Sequence, residues 1–325
     1  MRRLLLLSSI LVAPYAFAQA TGTSNNAEVH ILPVQGNVSM LVGAGGNIAV
    51  QIGSDGVLLV DTGLPTMTDK VEAAIKKLSD RPIRFILNTH MHPDHTGGNE
   101  KLAKLGSTIA GGNVVGDIGQ SAGQGAAVIA HENVLKRMSE TAPGQPATPF
   151  DALPTDTFAG PLKSMFFNGE AVRIMHMPHA HTDGDSVIFF RRSDVLVTGD
   201  IFTPGGYPVI DLARGGNVQG IIAALNQIIQ LAVPAEKQEG GTYIIPGHGR
   251  LCDQADVVEY RDMLTIIRDR IQDSIKKGMT LDQVKAAKPT FDYDPLYGST
   301  SGFWTTDQFI EAVYKSLAPG SNQSK

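Results

Sequence analysis

Short apolar runs separated by glycine-containing turns follow one another from residue 29 to residue 60. The runs lie at 38–42, 48–52 and 57–60, and this pattern predicts an antiparallel meander of strands. Apolar residues at helical spacing over 70–78 predict a helix, which Arg81-Pro82 ends. The run at 83–87 predicts a buried strand, followed by a short helix at 98–105 and a strand at 107–110.

Residues 113–150 interrupt this rhythm with frequent Gly, Ala, Gln, Thr and Pro, and contain one predicted helix at 132–139. This composition favours a loop region over an active site or a plain surface insertion. The Met and aromatic residues of 113–168 could line a pocket or belong to the core.

A second series of strands and helices follows the interruption. Strands are predicted at 171–175, 186–191, 195–198 and 242–245, and helices at 220–231, 253–277 and over most of 281–317. Strands followed by helices, repeated once, predict two similar half-domains of an α/β protein that pack two sheets between outer helices.

The first twenty residues have the pattern of a signal peptide. Arg2-Arg3 precede an apolar run from residue 4 to residue 13, and Ala16-Phe17-Ala18 or Ala18-Gln19-Ala20 provides a cleavage site. We therefore expect a periplasmic or secreted protein with no stable membrane anchor after cleavage; an uncleaved anchor is the alternative. Residues 21–28 are expected to form a flexible lead.

Composition narrows the function classes further. The formal net charge of −5 argues against a nucleic-acid partner, because such enzymes normally carry a basic surface. Cys252 is the only cysteine, so the core must stabilise the fold without an intrachain disulfide. About 300 residues remain after the leader, which suffices for one large domain.

The densest chemistry follows the strand predicted at 83–87. His90, His92, Asp94 and His95 fall within six residues, at the point where a strand ends and the chain turns. Positions two and five apart do not share a helix face, so a loop must aim these side chains. Imidazole and carboxylate ligands suit zinc or a similar metal.

Three further candidate sites lie at junctions between strands and loops. The segment at 178–186 contains His179, His181 and Asp185, the strand predicted at 195–198 leads to Asp200, and the strand at 242–245 leads to Gly247-His248. Their spacing along the chain alone does not establish that they meet.

Together these motifs resemble the metallo-β-lactamase superfamily in content and order. The family's His-x-His-x-Asp-His signature is matched by residues 90–95, its later His-Thr by His181-Thr182, and its final Gly-His by Gly247-His248. Its Asp-Thr-Gly turn is matched by Asp61-Thr62-Gly63.

The resemblance implies an αβ/βα four-layer sandwich, with two mixed β-sheets flanked by helices and the metals at one edge. It covers residues 29–250, and residues 251–325 are expected to be a helical extension packed on the same domain. It also implies a two-metal site with a hydroxide nucleophile between the ions. One ion would be held by His90, His92 and His181, the second by Asp94, His95 and His248, and Asp200 would bridge them.

One departure from the family pattern bears on substrate. The best-known zinc β-lactamases have a cysteine where this chain has Asp200. An aspartate there resembles the glyoxalase II and lactonase branches, which favours a broad hydrolase over a dedicated antibiotic-resistance enzyme.

Other residues near these motifs have two interpretations each. His179 is a rival of His181 as a ligand. Asp61 and Asp185 could orient a ligand or stabilise a turn, and Tyr207 could donate to an oxyanion or simply pack in its loop. His131 could be hydrogen-bonded beneath the site or be structural.

The resemblance thus implies a hydrolase of small molecules with two zinc ions, iron or manganese remaining open, in which Asp94 orients the nucleophile. Ester, lactone, thioester and amide bonds, β-lactams included, fit this chemistry. The alternatives are an oxidoreductase resembling the mononuclear iron persulfide dioxygenases and a non-catalytic accessory protein that retains the fold. The sequence does not indicate the oligomeric state.

Overall fold

A computed structural model describes residues 28–108, 125–140, 146–237 and 240–318. The predicted signal peptide lies outside these residues, as do most of the flexible lead, the second half of the strand predicted at 107–110 and parts of 113–150. Within the described residues no helix is both long and apolar enough to cross a membrane.

Among the described residues, the first sheet has seven strands in the order β1 to β7. The first four pair antiparallel, as the meander predicted, and β4, β5, β6 and β7 pair in parallel. Its strands are β1 (His30–Gln35), β2 (Val38–Val42), β3 (Ile48–Gly53), β4 (Gly56–Val60), β5 (Ile83–Leu87), β6 (Ala127–His131) and β7 (Asp156–Phe158).

In the part of the chain that the structure describes, the second sheet has five strands in the order β12-β11-β10-β9-β8. Only β11 and β12 pair in parallel. Its strands are β8 (Leu162–Phe167), β9 (Glu170–His176), β10 (Ser186–Phe190), β11 (Val195–Val197) and β12 (Tyr243–Ile245).

Helices cover the outer faces of both sheets. They are α1 (Thr68–Leu78), α2 (Pro93–Thr96), α3 (Asn99–Leu105), α4 (Glu132–Ser139), α5 (Val218–Leu231), α6 (Gln254–Lys276), α7 (Leu281–Ala286), α8 (Asp294–Tyr297) and α9 (Thr306–Leu317). Asp253 begins α6 with a capping box, in which side chain and backbone exchange hydrogen bonds with Asp256.

Alternation of side chains along the central strands creates the layers. In β4, Val57 and Leu59 pack towards α1, whereas Leu58 and Val60 face the second sheet. In β10, Phe189 packs towards the C-terminal helices and Phe190 faces the first sheet. Because both faces of these strands are buried, the layers follow in the order α, β, β, α, which confirms the predicted fold class.

The chain between residues 125 and 168 differs from the prediction. The sequence suggested a loop region with one helix over 113–150; the helix is present as α4, but β6 within this range is a strand of the first sheet. No strand was predicted at 151–168, where β7 joins the first sheet and β8 lies at the edge of the second. The run that forms β6 is short and alanine-rich, so only pairing with β5 identifies it as a strand. No described residue of 125–168 lines the cleft described below.

Candidate metal centre

The candidate ligands gather at one edge of the two sheets, because each follows the carboxyl end of a strand. Residues 90–95 follow β5, His181 follows β9, Asp200 follows β11 and His248 follows β12. Ligand atoms of His90, His92, His181 and Asp200 lie within 4.8 Å of one another, as do those of Asp94, His95 and His248. All seven predicted ligands therefore converge in two adjacent groups.

The histidines of the first group are oriented by groups behind them. His181 Nδ1 lies 2.7 Å from the carbonyl oxygen of Val209, which can only accept, so Nδ1 carries the proton. His92 Nε2 lies 3.0 Å from the buried carboxylate of Asp211 and donates to it. The other ring nitrogens, His181 Nε2 and His92 Nδ1, face the cluster and are 2.8 Å apart.

His90 is oriented by a two-step relay. The Thr89 hydroxyl donates its proton to Asp61 Oδ2 at 2.7 Å, so it accepts from His90 Nδ1 at 3.0 Å. His90 Nε2 thus presents a lone pair to the cluster, and this buried atom has no hydrogen-bond partner.

The second group is built from Asp94, His95 and His248. His95 Nδ1 lies 2.8 Å from Asp61 Oδ2, which turns Nε2 towards the cluster. That nitrogen is 3.4 Å from His248 Nε2. Asp94 Oδ2 is 3.1 Å from His248 Nε2 and 3.6 Å from His95 Nε2, so three donor atoms face a common point.

Asp200 lies between the two groups and turns one oxygen to each. Its Oδ2 is 3.9 Å from His90 Nε2 and 3.8 Å from His181 Nε2. Its Oδ1 is 3.2 Å from His95 Nε2 and 3.4 Å from His248 Nε2. Asp200 is therefore placed to contact both groups at once.

Glycines and one strained residue make room for these side chains. A Cβ at Gly46 would lie 2.3 Å from the His95 ring, and one at Gly247 would lie 2.0 Å from Asp200 Oδ1. Asp61 has φ of 64°, a left-handed conformation that aims its carboxylate at Thr89 and His95 at some cost in backbone strain.

The ionisation equilibria of the site reflect burial and concentrated negative charge. Burial, together with neighbouring His92, lowers the pKa of His181 to about 4. Burial opposes the charged form of Asp94, but His95 and His248 lower its pKa to about 2. Burial likewise opposes protonation of His248, but Asp200 and Asp94 raise its pKa to about 9. The carboxylates thus attract positive charge to this point.

The donor set fits divalent cations. Asp94 Oδ1 and His90 Nε2 are buried without a hydrogen-bond partner, which is costly unless another group satisfies them. Imidazole nitrogens mixed with carboxylates are typical ligands of zinc and similar metals. The structure therefore supports the binding of divalent metal by this cluster.

Asp185 and Tyr207, the other candidate site residues, lie outside the two groups of ligands. Asp185 accepts from the backbone and hydroxyl of Thr182 at 2.8 and 2.6 Å, so it fixes the turn that carries His181. Tyr207 donates to Asp294 Oδ1 at 2.9 Å, so its hydroxyl is engaged with the C-terminal segment, as a packed loop residue would be.

The two remaining histidine candidates contact no ligand. His131 stacks on His176, with ring centroids 3.6 Å apart, and its Nδ1 accepts from the backbone of Asn133 at the start of α4. His179 is exposed and bonds the carbonyl oxygen of Gly215 through Nδ1. It does not compete with His181 within the clusters.

Two orienting residues were missed from the sequence. Thr89 directly precedes His90, so the sequence placed it beside a predicted ligand. It did not indicate that the Thr89 hydroxyl links His90 to Asp61. Asp211 is buried and also receives hydrogen bonds from Arg214. It lies 119 residues from its partner His92, and no local motif marks it.

A cleft of about 730 Å³ opens beside the clusters. Asp94, Asp200 and His248 line it, together with Leu64 and residues from the C-terminal helical part of the chain. This volume is in the range of small-molecule sites.

Comparison with known proteins agrees with this geometry. The family profile described as metallo-beta-lactamase superfamily matches residues 41–248. A linear primary-alkylsulfatase from Pseudomonas sp. is 27% identical over 263 residues, which cover 71% of this chain and 47% of that protein.

Solved structures show the same fold. The stereoselective inverting sec-alkylsulfatase Pisa1 from Pseudomonas sp. aligns with a TM-score of 0.64 at 16% identity, over 91% of this chain and 51% of that one. A metallo-beta-lactamase from Pontibacter korlensis aligns with a TM-score of 0.55 at 16% identity, over 73% of this chain and 99% of that one. The chain thus spans about half the length of the alkylsulfatases that it matches.

Proposed function

The chain belongs to the metallo-β-lactamase superfamily, and on this basis we propose that it is an exported hydrolase with two zinc ions. The proposed substrates are small molecules with an ester, lactone, thioester or amide bond, β-lactams included. The alkylsulfatase relatives add sulfate esters to this set.

One observation carries the proposal: seven donor residues form two groups, with one oxygen of Asp200 turned to each. His90, His92 and His181 would hold one ion, and Asp94, His95 and His248 the other. When bound, such a pair of ions polarises an oxygen of the substrate and lowers the pKa of water.

The protein's own groups would orient the reactants. Asp94 Oδ1 is buried without a partner and can accept a hydrogen bond from the attacking water. Because its pKa is lowered to about 2 by the neighbouring imidazoles, this carboxylate is ionised at neutral pH. Asp211, Asp61 and the Val209 carbonyl keep the ligand histidines in the required tautomers.

The test is metal analysis of the purified protein, followed by a hydrolysis screen with lactones, thioesters, β-lactams and alkyl sulfates. We expect two zinc ions per chain, and activity that a chelator removes and zinc restores. One iron with oxygen uptake on a persulfide would instead support the dioxygenase alternative. Two zinc ions without turnover of any substrate would favour an accessory role.

Export forms a separate part of the proposal, supported by the pattern of residues 2–20. Fractionation of the native host should place a protein shortened by about 20 residues outside the cytoplasm. A full-length protein in the cytoplasm would contradict it.

A further inference from the structure

The cleft beside the clusters has walls of different origin. Asp94, Asp200 and His248 contribute its charged lining, called the floor here, and Leu64 and Pro65 line it from the side of the first sheet. Tyr297, Phe303 and Trp304 also line it and are called the C-terminal wall. These three lie beyond residues 41–248, which the family profile matches, so this wall is particular to the C-terminal part of the chain.

Charged side chains line only one part of the cleft. Among the described residues, no lysine or arginine lines the cleft, and its charged groups belong to the floor. Away from the floor the lining consists of aromatic and aliphatic side chains, glycines and a few hydroxyls. An anionic group bound there would lose water without gaining a counter-ion, which is unfavourable. An apolar group would gain from burial.

The C-terminal wall is attached to the loop that follows Asp200. Tyr207 donates to Asp294 Oδ1 at 2.9 Å through its hydroxyl, and its backbone N–H donates to the carbonyl oxygen of Tyr297 at 3.2 Å. Its ring stacks on Phe309 with centroids 4.4 Å apart. Tyr260 donates to the carbonyl oxygen of Gly206 at 3.0 Å. The wall is therefore preformed next to the clusters, so a ligand need not order it.

We propose that the segment 294–306 selects the substrate. It accepts an uncharged apolar group on one side of the scissile bond and excludes substrates with a second anionic group at that end. This inference rests on the proposed hydrolase function, because the floor must hold the reacting bond. It narrows the substrate class to compounds with one polar head and an apolar tail or ring.

Binding can be measured without hydrolysis. Trp304 is the only tryptophan of the chain, so its fluorescence reports on the wall directly. The probes are unbranched monocarboxylates of four to ten carbons and α,ω-dicarboxylates of matched length, titrated into the zinc-loaded protein by calorimetry and fluorescence. We expect the Kd of the monocarboxylates to fall about fourfold per methylene while the cleft fills. We also expect a shift in Trp304 emission and at least tenfold weaker binding of the dicarboxylates.

Several results would overturn the inference: a Kd independent of chain length, equal binding of mono- and dicarboxylates, or binding that leaves Trp304 emission unchanged. Chain-length-dependent binding without hydrolysis of any substrate would support the role of the segment 294–306 in binding and reject the proposed hydrolase function. Hydrolysis with a Kd that does not depend on chain length would support the hydrolase function and reject the role of this segment.

A pair of variants tests the wall itself. Phe303 is 40% exposed and lines the cleft, whereas Phe291 is 64% exposed and does not. Phe303→Ala should weaken binding of the longest monocarboxylate by about threefold to tenfold and leave the shortest unchanged. The same substitution at Phe291 should alter neither. Equal effects of the two substitutions would contradict the assignment.

Discussion

Replacing Asp211 by asparagine should weaken one of the two metal sites selectively. The Asp211 carboxylate accepts from His92 Nε2 at 3.0 Å, and the two side chains are only 2% and 8% exposed. Solvent therefore screens this charge-assisted hydrogen bond little. Such a bond contributes about 1.5–3 kcal/mol, which corresponds to roughly a 10- to 150-fold change in affinity. Substitutions behind other ligand histidines typically cost about 10- to 100-fold.

The assay is a competition titration of the metal-free protein with zinc and a chromophoric chelator, which resolves two stepwise dissociation constants. We expect Asp211→Asn to raise the constant of the site that contains His92 and to leave the other within about threefold. Asp156→Asn is the matched control, because Asp156 pairs with Lys163 at 2.9 Å near the surface and contacts no ligand. Unchanged constants, or equal loss at both sites, would refute the reasoning.

Three further predictions use single substitutions. Asp94→Ala should lower the hydrolysis rate by about a hundredfold or more while thermal unfolding stays cooperative; undiminished turnover would reject its role. Gly247→Ala should reduce bound zinc and activity, because its Cβ would lie 2.0 Å from Asp200 Oδ1, whereas Gly160→Ala, with no atom within 4 Å of its Cβ, should not. Burial raises the pKa of Asp185 to about 8 in the folded protein. Between the ordinary pKa of an aspartate and this value, Asp185 therefore keeps its proton in the folded state and loses it in the unfolded state. Stability should therefore fall as pH rises from about 4 to 8, and Asp185→Asn should flatten this fall in melting temperature; parallel profiles would contradict the shift.

The sequence predicted the features that local pattern determines. The signature at 90–95 identified four of the ligands, although only His90 and His92 precede a helix and Asp94 and His95 lie within α2, not on a loop as predicted. The meander from β1 to β4 follows from short alternating runs. Strand β6 was missed because its five residues are identified by their position beside β5 and not by their own periodicity.

The orienting groups of the metal centre depend on tertiary contacts. Asp61 was suggested by its place in the Asp-Thr-Gly turn, but its double contact with Thr89 and His95 requires the folded arrangement of β4 and β5. Asp211 and the Val209 carbonyl lie on a loop without any metal motif. A residue that orients a ligand far away in the sequence has no fixed spacing from that ligand, so no sequence motif identifies it.

The most direct test of the account is the number of metal ions bound per chain. It is measured by elemental mass spectrometry on protein purified without added chelator. The account predicts two ions per chain in the wild type and a lower content in a variant without Asp200, the carboxylate between the two groups. A wild-type protein that binds no divalent metal, or the same content without Asp200, would contradict it.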